Sequence, residues 1–415
     1  MSSDTSGPGF GLVVTATEVE GCSPAADWSR WIAGGRAPDS DRGGARVPFG
    51  RSWSEDLEQL AGLGATSIGL TLEWAELEPR PGEHPPESVE FRRDLLRRAA
   101  ELGMEPWAYL VDRTLPGWFA DDEGGFGDER ARGLVWPRHI DWVGETFGDL
   151  VVGWVPQREP ILQALRRHWL GTAPPGRVDP VKAAEAVRDA VLADGEAWRL
   201  LQGTAPVAAH HTARLVVGDT EDPRDNEAGP RARALEQLVW HPWIGALTEG
   251  RLQAGDLPER AVDHLRDGFD RIIVQLRPSI RVDGRGRWRH HPTDRRPGPT
   301  GLAAWPEAMG EALGRVTDEL DGRTVVAAGD LGDVTDDGRA RPDHLRLLLD
   351  LVEEHDVAGW WQTSPIDGYH FEHGFGLQPG LIRADRSETE AARTYRNAAG
   401  PPRVPGSPPE EESRR

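Results

Sequence analysis

The stretch Leu150-Val151-Val152-Gly153-Trp154-Val155-Pro156-Gln157-Arg158-Glu159-Pro160 decides which fold the sequence predicts. Its first half is rich in Val and Trp, which is typical of a buried parallel strand. Pro160 ends the strand pattern, so Arg158 and Glu159 stand at the carboxyl end of the predicted strand. Barrel enzymes place their catalytic side chains at this end of their strands. Glu159 is therefore the first candidate for a catalytic residue.

Short apolar runs of the same kind recur along the chain and alternate with helical patterns. The predicted strands are 11–16, 66–72, 105–110, 151–155, 207–209, 272–276, 324–328 and 357–362, and the clearest helices are 54–63, 88–102, 181–202, 303–320 and 341–355. Eight βα units without an internal linker predict an α/β fold with a single (β/α)8 TIM barrel. We place the barrel at residues 10–398 and predict disordered tails at 1–9 and 399–415.

The composition excludes some classes of partner. The chain has 69 acidic against 48 basic residues and a net charge of −21, so it lacks the basic surplus that a nucleic acid or an anionic membrane would need. Its single cysteine cannot form an internal disulfide. No stretch reaches transmembrane length, and the first residues do not have the pattern of a signal peptide. These features predict a cytoplasmic protein and leave its oligomeric state open.

Acidic and imidazole side chains gather at the carboxyl ends of the predicted strands. They are Glu18, Glu73, Asp112, Glu159, His210, His211, Asp330 and the turn at 364–367. Carboxylates that lie close together cannot all ionise freely, so one can hold a proton while another acts as a base. Such a pair is the minimum requirement for cleaving a glycosidic bond. The alternative is an acidic rim in a protein that is acidic everywhere.

Several motifs in order along the chain carry a family resemblance. They are Thr15-Ala16-Thr17-Glu18-Val19-Glu20-Gly21, Leu72-Glu73-Trp74-Ala75-Glu76-Leu77-Glu78-Pro79-Arg80-Pro81-Gly82, Pro116-Gly117-Trp118, Arg158-Glu159-Pro160, Trp305-Pro306-Glu307-Ala308 and Gly380-Leu381-Ile382-Arg383-Ala384-Asp385. From about residue 10 to 395 the chain resembles glycoside hydrolase family 1, the retaining β-glycosidases. The resemblance implies a small carbohydrate or glycoside as substrate and no metal or other cofactor.

The resemblance also assigns positions in the candidate site. Glu159 takes the place of the acid/base, and counting back along the seventh unit puts Asp330 in the place of the nucleophile. The substrate-binding positions implied are Glu18 for a glutamine, Asp112 for a histidine, Arg158 for an asparagine, and His370-Phe371 for a sugar-binding Glu-Trp pair. The arginine that steadies the family's nucleophile becomes Gly69, and the tyrosine of strand six falls near Leu276 or Arg277. The chain thus diverges at most active-site positions.

These departures leave alternatives for the chemistry. Aspartate is shorter than glutamate by about one C–C bond, roughly 1.5 Å, so Asp330 either activates a water or serves a slower transferase reaction. Arg158 either pairs with Asp112 or Glu18, or contacts an anionic group on the substrate.

Two further classes of function remain from the sequence. Glu18, Asp112, Asp330 and His210 or His211 could together ligate a divalent metal, although we expect none. The barrel could also be catalytically degenerate and bind a carbohydrate or a partner without hydrolysis.

Overall fold

The computed structural model describes residues 9–39, 49–122, 124–219, 226–335 and 339–402. Its main feature is a barrel of eight parallel strands. They are β1 (Gly9–Val14), β2 (Ser67–Thr71), β3 (Glu105–Val111), β4 (Gly153–Gln157), β5 (Ala208–Ala213), β6 (Arg271–Leu276), β7 (Val325–Gly329) and β8 (Gly359–Thr363). Each lies within a few residues of a run that the sequence predicts.

The strands follow one another around the barrel in chain order. Neighbouring strands pair in parallel from β1 to β4 and from β5 through β6, β7 and β8 back to β1. Parallel bridges from Trp154 to Val207 and from Arg158 to His210 join β4 to β5 and close the ring. The prediction of an α/β fold with a single (β/α)8 barrel is confirmed. In this topology all eight carboxyl ends share one mouth.

Helices surround the barrel and supply its outer layer. They are α1 (Ala16–Glu20), α2 (Asp27–Ala33), α3 (Phe49–Ala61), α4 (Trp74–Leu77), α5 (Pro86–Glu101), α6 (Trp136–Phe147), α7 (Pro160–His168), α8 (Pro180–Leu201), α9 (Ala228–Val239), α10 (His241–Glu249), α11 (Pro306–Glu319), α12 (Ala340–Glu354) and α13 (Glu390–Ala399). The five helices predicted from periodicity correspond to α3, α5, α8, α11 and α12. None of the helices in the described ranges is long and apolar enough to cross a membrane.

Large rings fill the barrel interior, and glycines on neighbouring strands make room for them. A Cβ on Gly11 would lie 2.6 Å from the ring of Trp361, and a Cβ on Gly153 would lie 2.3 Å from the ring of Trp107. Both tryptophans are buried and meet edge to face at 5.6 Å. The interior is therefore packed with side chains and forms no pore.

The barrel extends slightly beyond the predicted bounds. β1 begins at Gly9, and α13 ends at Ala399, so each end of the ordered barrel reaches one residue into a predicted tail. Most of the two predicted tails, residues 1–8 and 403–415, lies outside the described residues. A small sheet of Val216–Gly218, Ile280–Val282 and Trp288–His290 forms from the segments that follow β5 and β6.

Candidate active site

The acidic residues that follow the fourth and seventh strands both accept hydrogen bonds from one arginine. Glu159 follows β4 and Asp330 follows β7, and Arg277, which directly follows β6, lies between them. Arg277 Nη2 donates to Glu159 Oε2 at 2.7 Å and Nε donates to Oε1 at 3.2 Å. Its Nη1 donates to Asp330 Oδ2 at 3.2 Å. The two predicted catalytic residues thus share one guanidinium at the barrel mouth.

The local backbone aims the Glu159 side chain at this arginine. Glu159 has a φ of 49°, in the left-handed region that non-glycine residues rarely adopt. Pro160 begins α7 immediately afterwards with its fixed φ. The hydroxyl of Thr212 donates to Glu159 Oε1 at 2.7 Å. Such strained conformations persist only where the surroundings fix them, and they concentrate at functional sites.

Arg277 determines the charge of Glu159. Burial alone would raise the pKa of this carboxyl, but the charge and hydrogen bonds of Arg277 outweigh burial and hold the pKa well below its ordinary value. The same contacts raise the pKa of Arg277 against the effect of its own burial. Glu159 is therefore ionised in this arrangement and cannot donate a proton while the pair persists.

The shared arginine also limits the distance between the two acids. Neighbouring nitrogens of a planar guanidinium are about 2.3 Å apart, so the bonded oxygens of Glu159 and Asp330 are at most about 8 Å apart. Retaining glycosidases separate their carboxyl groups by about 5–5.5 Å and inverting ones by about 6.5–9.5 Å. The limit is compatible with both stereochemical outcomes.

Arg158 binds other side chains of the protein, and its charge adds to the effect of Arg277 in lowering the pKa of Glu159. Its side chain is buried, and Nη1 donates to Thr15 Oγ1 at 2.9 Å and to Asp112 Oδ1 at 3.4 Å. This contact matches the internal salt bridge that the sequence left as one of two roles for Arg158.

Glu18 lies among polar side chains near the carboxyl ends of β1 and β8. It lies on the short helix α1, and Ser364 donates to its Oε2 at 2.8 Å. Arg113 Nη2 lies 4.0 Å from its other oxygen. Burial raises the pKa of Glu18, and the nearby charges of Arg113 and Arg158 offset only part of that rise.

The predicted sugar-binding pair adopts two different environments. The backbone N–H of Glu372 donates to Nδ1 of His370 at 3.3 Å, so Nε2 carries the proton of the neutral ring. Burial, followed by the charge of Arg113, lowers the pKa of His370 well below its ordinary value. Phe371 is buried against Trp28 at 4.6 Å and lies beneath the guanidinium of Arg113.

The residues considered as alternative metal ligands have other partners. His210 Nδ1 lies 3.1 Å from the hydroxyl of Tyr109, and His211 stacks on Trp243 with ring centres 4.8 Å apart. Glu18, Asp112 and Asp330 bind Ser364, Arg158 and Arg277 respectively. No group of three or more possible ligands is arranged around a metal position anywhere in the part of the chain that the structure describes.

A mostly apolar cavity adjoins the acidic pair. It shares Thr212 with the Glu159 site. Its walls come from α7, α9, α10 and the small sheet, with Ile161, Leu162, Leu165, His211, Arg214, Val216, Val239, Trp243, Ile280 and Trp288.

The sequence did not assign Arg277, Thr212, Arg113 and Arg166 to the site. Only position 277 carried a signal, because the resemblance placed the family's strand-six tyrosine there. The sequence also did not assign Asp333 to the site. In the structure, burial and then the charge of Asp330 raise the pKa of Asp333 to about 6. These side chains lie in segments whose composition gives no local sign of a site.

A barrel whose fourth and seventh strands present an acidic pair at a common mouth defines a protein built like a glycosidase. Comparison with known proteins gives the family: the model of glycosyl hydrolase family 1 matches residues 25–276. This match spans more than half of the chain, and the chain therefore belongs to glycosyl hydrolase family 1.

Full-length relatives and solved structures agree with this assignment. The chain is 22% identical to β-glucosidase A from Thermotoga maritima, over 91% of this chain and 92% of the relative. It is 23% identical to a bifunctional β-D-glucosidase/β-D-fucosidase from Bifidobacterium breve, over 92% and 94%. A family 1 β-glucosidase structure from T. maritima superposes with a TM-score of 0.82 at 18% identity, covering 95% of this chain and 97% of that one. A β-glycosidase from Pyrococcus horikoshii gives 0.80 at 20% identity, covering 94% and 93%.

Proposed function

We propose that this chain is an O-glycosyl hydrolase of the β-glycosidase type that acts on a small glycoside, with Glu159 as general acid/base and Asp330 as the second carboxylate. The observation that carries the proposal is the meeting of these two acids on Arg277 at the barrel mouth. In hydrolysis the anomeric C–O bond breaks, Glu159 gives a proton to the leaving oxygen, and Asp330 takes one from the incoming water.

The arrangement with Arg277 between the acids is then a resting state. Glu159 can carry a proton only after it separates from Arg277, because the ion pair holds it ionised. Once separated, the buried carboxyl would have a raised pKa, which is what a proton donor needs at neutral pH. Arg277 would keep its hydrogen bond to Asp330.

The neighbouring cavity suits an apolar leaving group. Its walls are mainly aliphatic and aromatic, and Thr212 connects it to Glu159. Apolar walls stabilise alkyl or aryl groups, whereas a second sugar would require more hydrogen-bonding partners. We therefore expect aryl and alkyl glycosides to be better substrates than disaccharides.

The test is hydrolysis of p-nitrophenyl β-D-glucoside and β-D-fucoside between pH 4 and 9. The wild type should release p-nitrophenol, and Glu159→Gln should lose at least about 100-fold of kcat/KM. Glu390→Gln is the matched control: Glu390 is exposed and pairs with Arg393 at the surface, so this variant should keep full activity. Equal turnover by the wild type and Glu159→Gln would remove Glu159 from the mechanism.

A second candidate is a degenerate barrel that binds a carbohydrate without hydrolysis. It is favoured by the complete burial of the Glu159 side chain, which leaves it no exposed surface for a leaving group. Under this candidate the wild type binds sugars but releases no p-nitrophenol at any pH. Calorimetric binding combined with the activity assay separates the two candidates.

A further inference from the structure

Arg113 and Arg166 are among the arginines near the barrel mouth that have buried donors without a hydrogen-bond partner in the described part of the chain; Arg158 and Arg214 are others. Arg113 follows β3, and Arg166 lies on α7; both are more than nine-tenths buried. Among the described residues, Nε and Nη1 of Arg113 and Nη1 of Arg166 have no hydrogen-bond partner. Buried guanidinium groups normally satisfy their N–H groups, because an unpaired one loses hydration without compensation.

The charges around these arginines are unbalanced. Arg166 Nη2 donates to Glu372 Oε2 at 2.9 Å. Glu372 thus provides a carboxylate that is hydrogen-bonded to one of the two arginines. Glu18 lies 4.0 Å from Arg113 Nη2, and burial raises the pKa of that carboxyl; Glu372 is also close enough for its charge to interact with Arg113. Two guanidinium groups therefore share one close, ionised carboxylate. Composition does not explain this surplus, because the chain as a whole has a net charge of −21.

The two arginines contact neighbouring residues of the segment after β8: the Arg113 guanidinium lies 5.2 Å from the centre of the Phe371 ring, and Arg166 Nη2 donates to Glu372 Oε2. The pKa of Arg166 is lowered to about 10, mainly by burial. The charge of Glu372 raises the pKa, and the charges of Arg113 and Arg277 lower it further. The same three arginines act on His370 and Glu372. The region that they surround is thus at the mouth, on the side of β3, α7 and the segment after β8.

We infer that Arg113 and Arg166 bind a carboxylate group on the sugar, so that the ligand is a uronic-acid glycoside. This inference rests on the proposed function and adds the substrate class. The planar forks of both arginines match a carboxylate, and Nε2 of neutral His370 offers one more donor.

A single carboxylate fits the local charge better than a phosphate ester. The pair has about one uncompensated positive charge, which one monoanion neutralises. A dianionic phosphate would add a second negative charge beside Glu159, Asp330 and Glu372, which would repel it.

The test is isothermal titration calorimetry of the full chain with three probes: D-glucuronate, D-glucose and D-glucose 6-phosphate. D-glucuronate should bind at least about tenfold more tightly than the other two, since hydrogen bonds to charged groups discriminate at about this level. Equal affinity for glucuronate and glucose would overturn the inference. Tighter binding of glucose 6-phosphate would overturn the choice of a carboxylate.

Variants locate the site. Arg113→Met should weaken glucuronate binding at least about tenfold and leave glucose binding unchanged. Arg113→Lys keeps the charge but loses the planar fork, so it should give an intermediate loss of glucuronate affinity. It also keeps the test valid if Arg113→Met does not fold. Arg393→Met at the exposed end of α13 is the matched control and should bind like the wild type. Unchanged glucuronate affinity in both Arg113 variants would contradict the assignment.

These measurements do not depend on turnover. Glucuronate binding without any release of p-nitrophenol from aryl glucosides or aryl glucuronides would sustain the carboxylate site and reject the hydrolase proposal. Hydrolysis of the aryl glucoside with no preference for the glucuronide, and no preference in binding, would sustain the hydrolase and reject the carboxylate site.

Discussion

Replacing Arg277 by methionine should destabilise the protein strongly and in a pH-dependent way. The side chain of Glu159 is completely buried and that of Arg277 is 12% exposed, so Arg277→Met leaves a buried carboxylate whose remaining hydrogen bond comes from Thr212. Removing one partner of a buried ion pair costs about 3–5 kcal/mol. Methionine keeps most of the length of the side chain, which limits the loss of packing. We expect a loss of about 3–5 kcal/mol in the free energy of unfolding at pH 7.

The sign of the pH dependence follows from the two states of Glu159. In the wild type its folded pKa is depressed, so the pair stabilises the protein above the unfolded value of 4.5 and is lost only as the pH falls through the depressed pKa. In Arg277→Met burial raises the pKa, so that variant loses stability as the pH rises above 4.5. The difference between the two proteins should therefore widen upward from pH 4.5, by at most about 1.4 kcal/mol per pH unit.

Urea unfolding followed by circular dichroism between pH 4.5 and 7.5 measures this difference. Arg393→Met, which removes an exposed i,i+3 pair with Glu390, is the matched control and should change stability by less than about 1 kcal/mol. A loss at pH 7 no larger than in the control would refute the argument that Arg277 compensates a buried charge. A large loss that does not vary with pH would show that packing, and not Glu159, is the cause.

Three further predictions test other parts of the structure. Burial, followed by the charge of Glu76, raises the pKa of Glu73 to about 8. The wild type should therefore lose stability from this group as the pH rises from about 4.5 to 8, and Glu73→Gln should not. Urea unfolding at pH 5 and 8.5 should show that the free energy of unfolding of the variant increases relative to that of the wild type. Arg158→Met and Asp112→Asn should each destabilise, and the double variant should lose about 1–3 kcal/mol less than their sum, because they break one buried pair. Gly153→Ala should lower the thermal midpoint, because its methyl group would enter the space of a packed tryptophan ring.

Most of the fold could be predicted from the sequence because each strand has its own local pattern. The short apolar runs give the eight strands, and amphipathic periodicity gives the outer helices. The weakest boundary was that of β5, predicted at 207–209 and observed at Ala208–Ala213. Its polar residues His210 and His211 interrupt the apolar run, and both are buried through contacts with Tyr109 and Trp243 that only the folded chain creates.

The candidate site was only partly predictable. Acidic residues at strand ends stand out, because parallel strands bring their carboxyl ends to one mouth. The partner of those acids does not stand out, since Arg277 is 118 positions from Glu159 in sequence and follows its strand with no characteristic spacing. For the same reason the main cause of the low pKa of Glu159, which is Arg277, could not be predicted. Its neighbour in sequence, Arg158, pairs with Asp112, and the arginine that fixes its charge comes from another strand.

The position of that arginine distinguishes this barrel from the pattern that the sequence resembles. At the place of the nucleophile-steadying arginine on β2 stands Gly69, where a Cβ would lie 2.4 Å from the ring of Tyr109. This strand therefore cannot supply a guanidinium without displacing a buried ring. Two carboxylates within about 8 Å would repel each other without a cation between them, and Arg277 on β6 supplies that cation. Arg277 stabilises the charged form of Glu159, so the hydrolysis proposed above requires Arg277 to separate from Glu159 before that carboxyl can act as the acid.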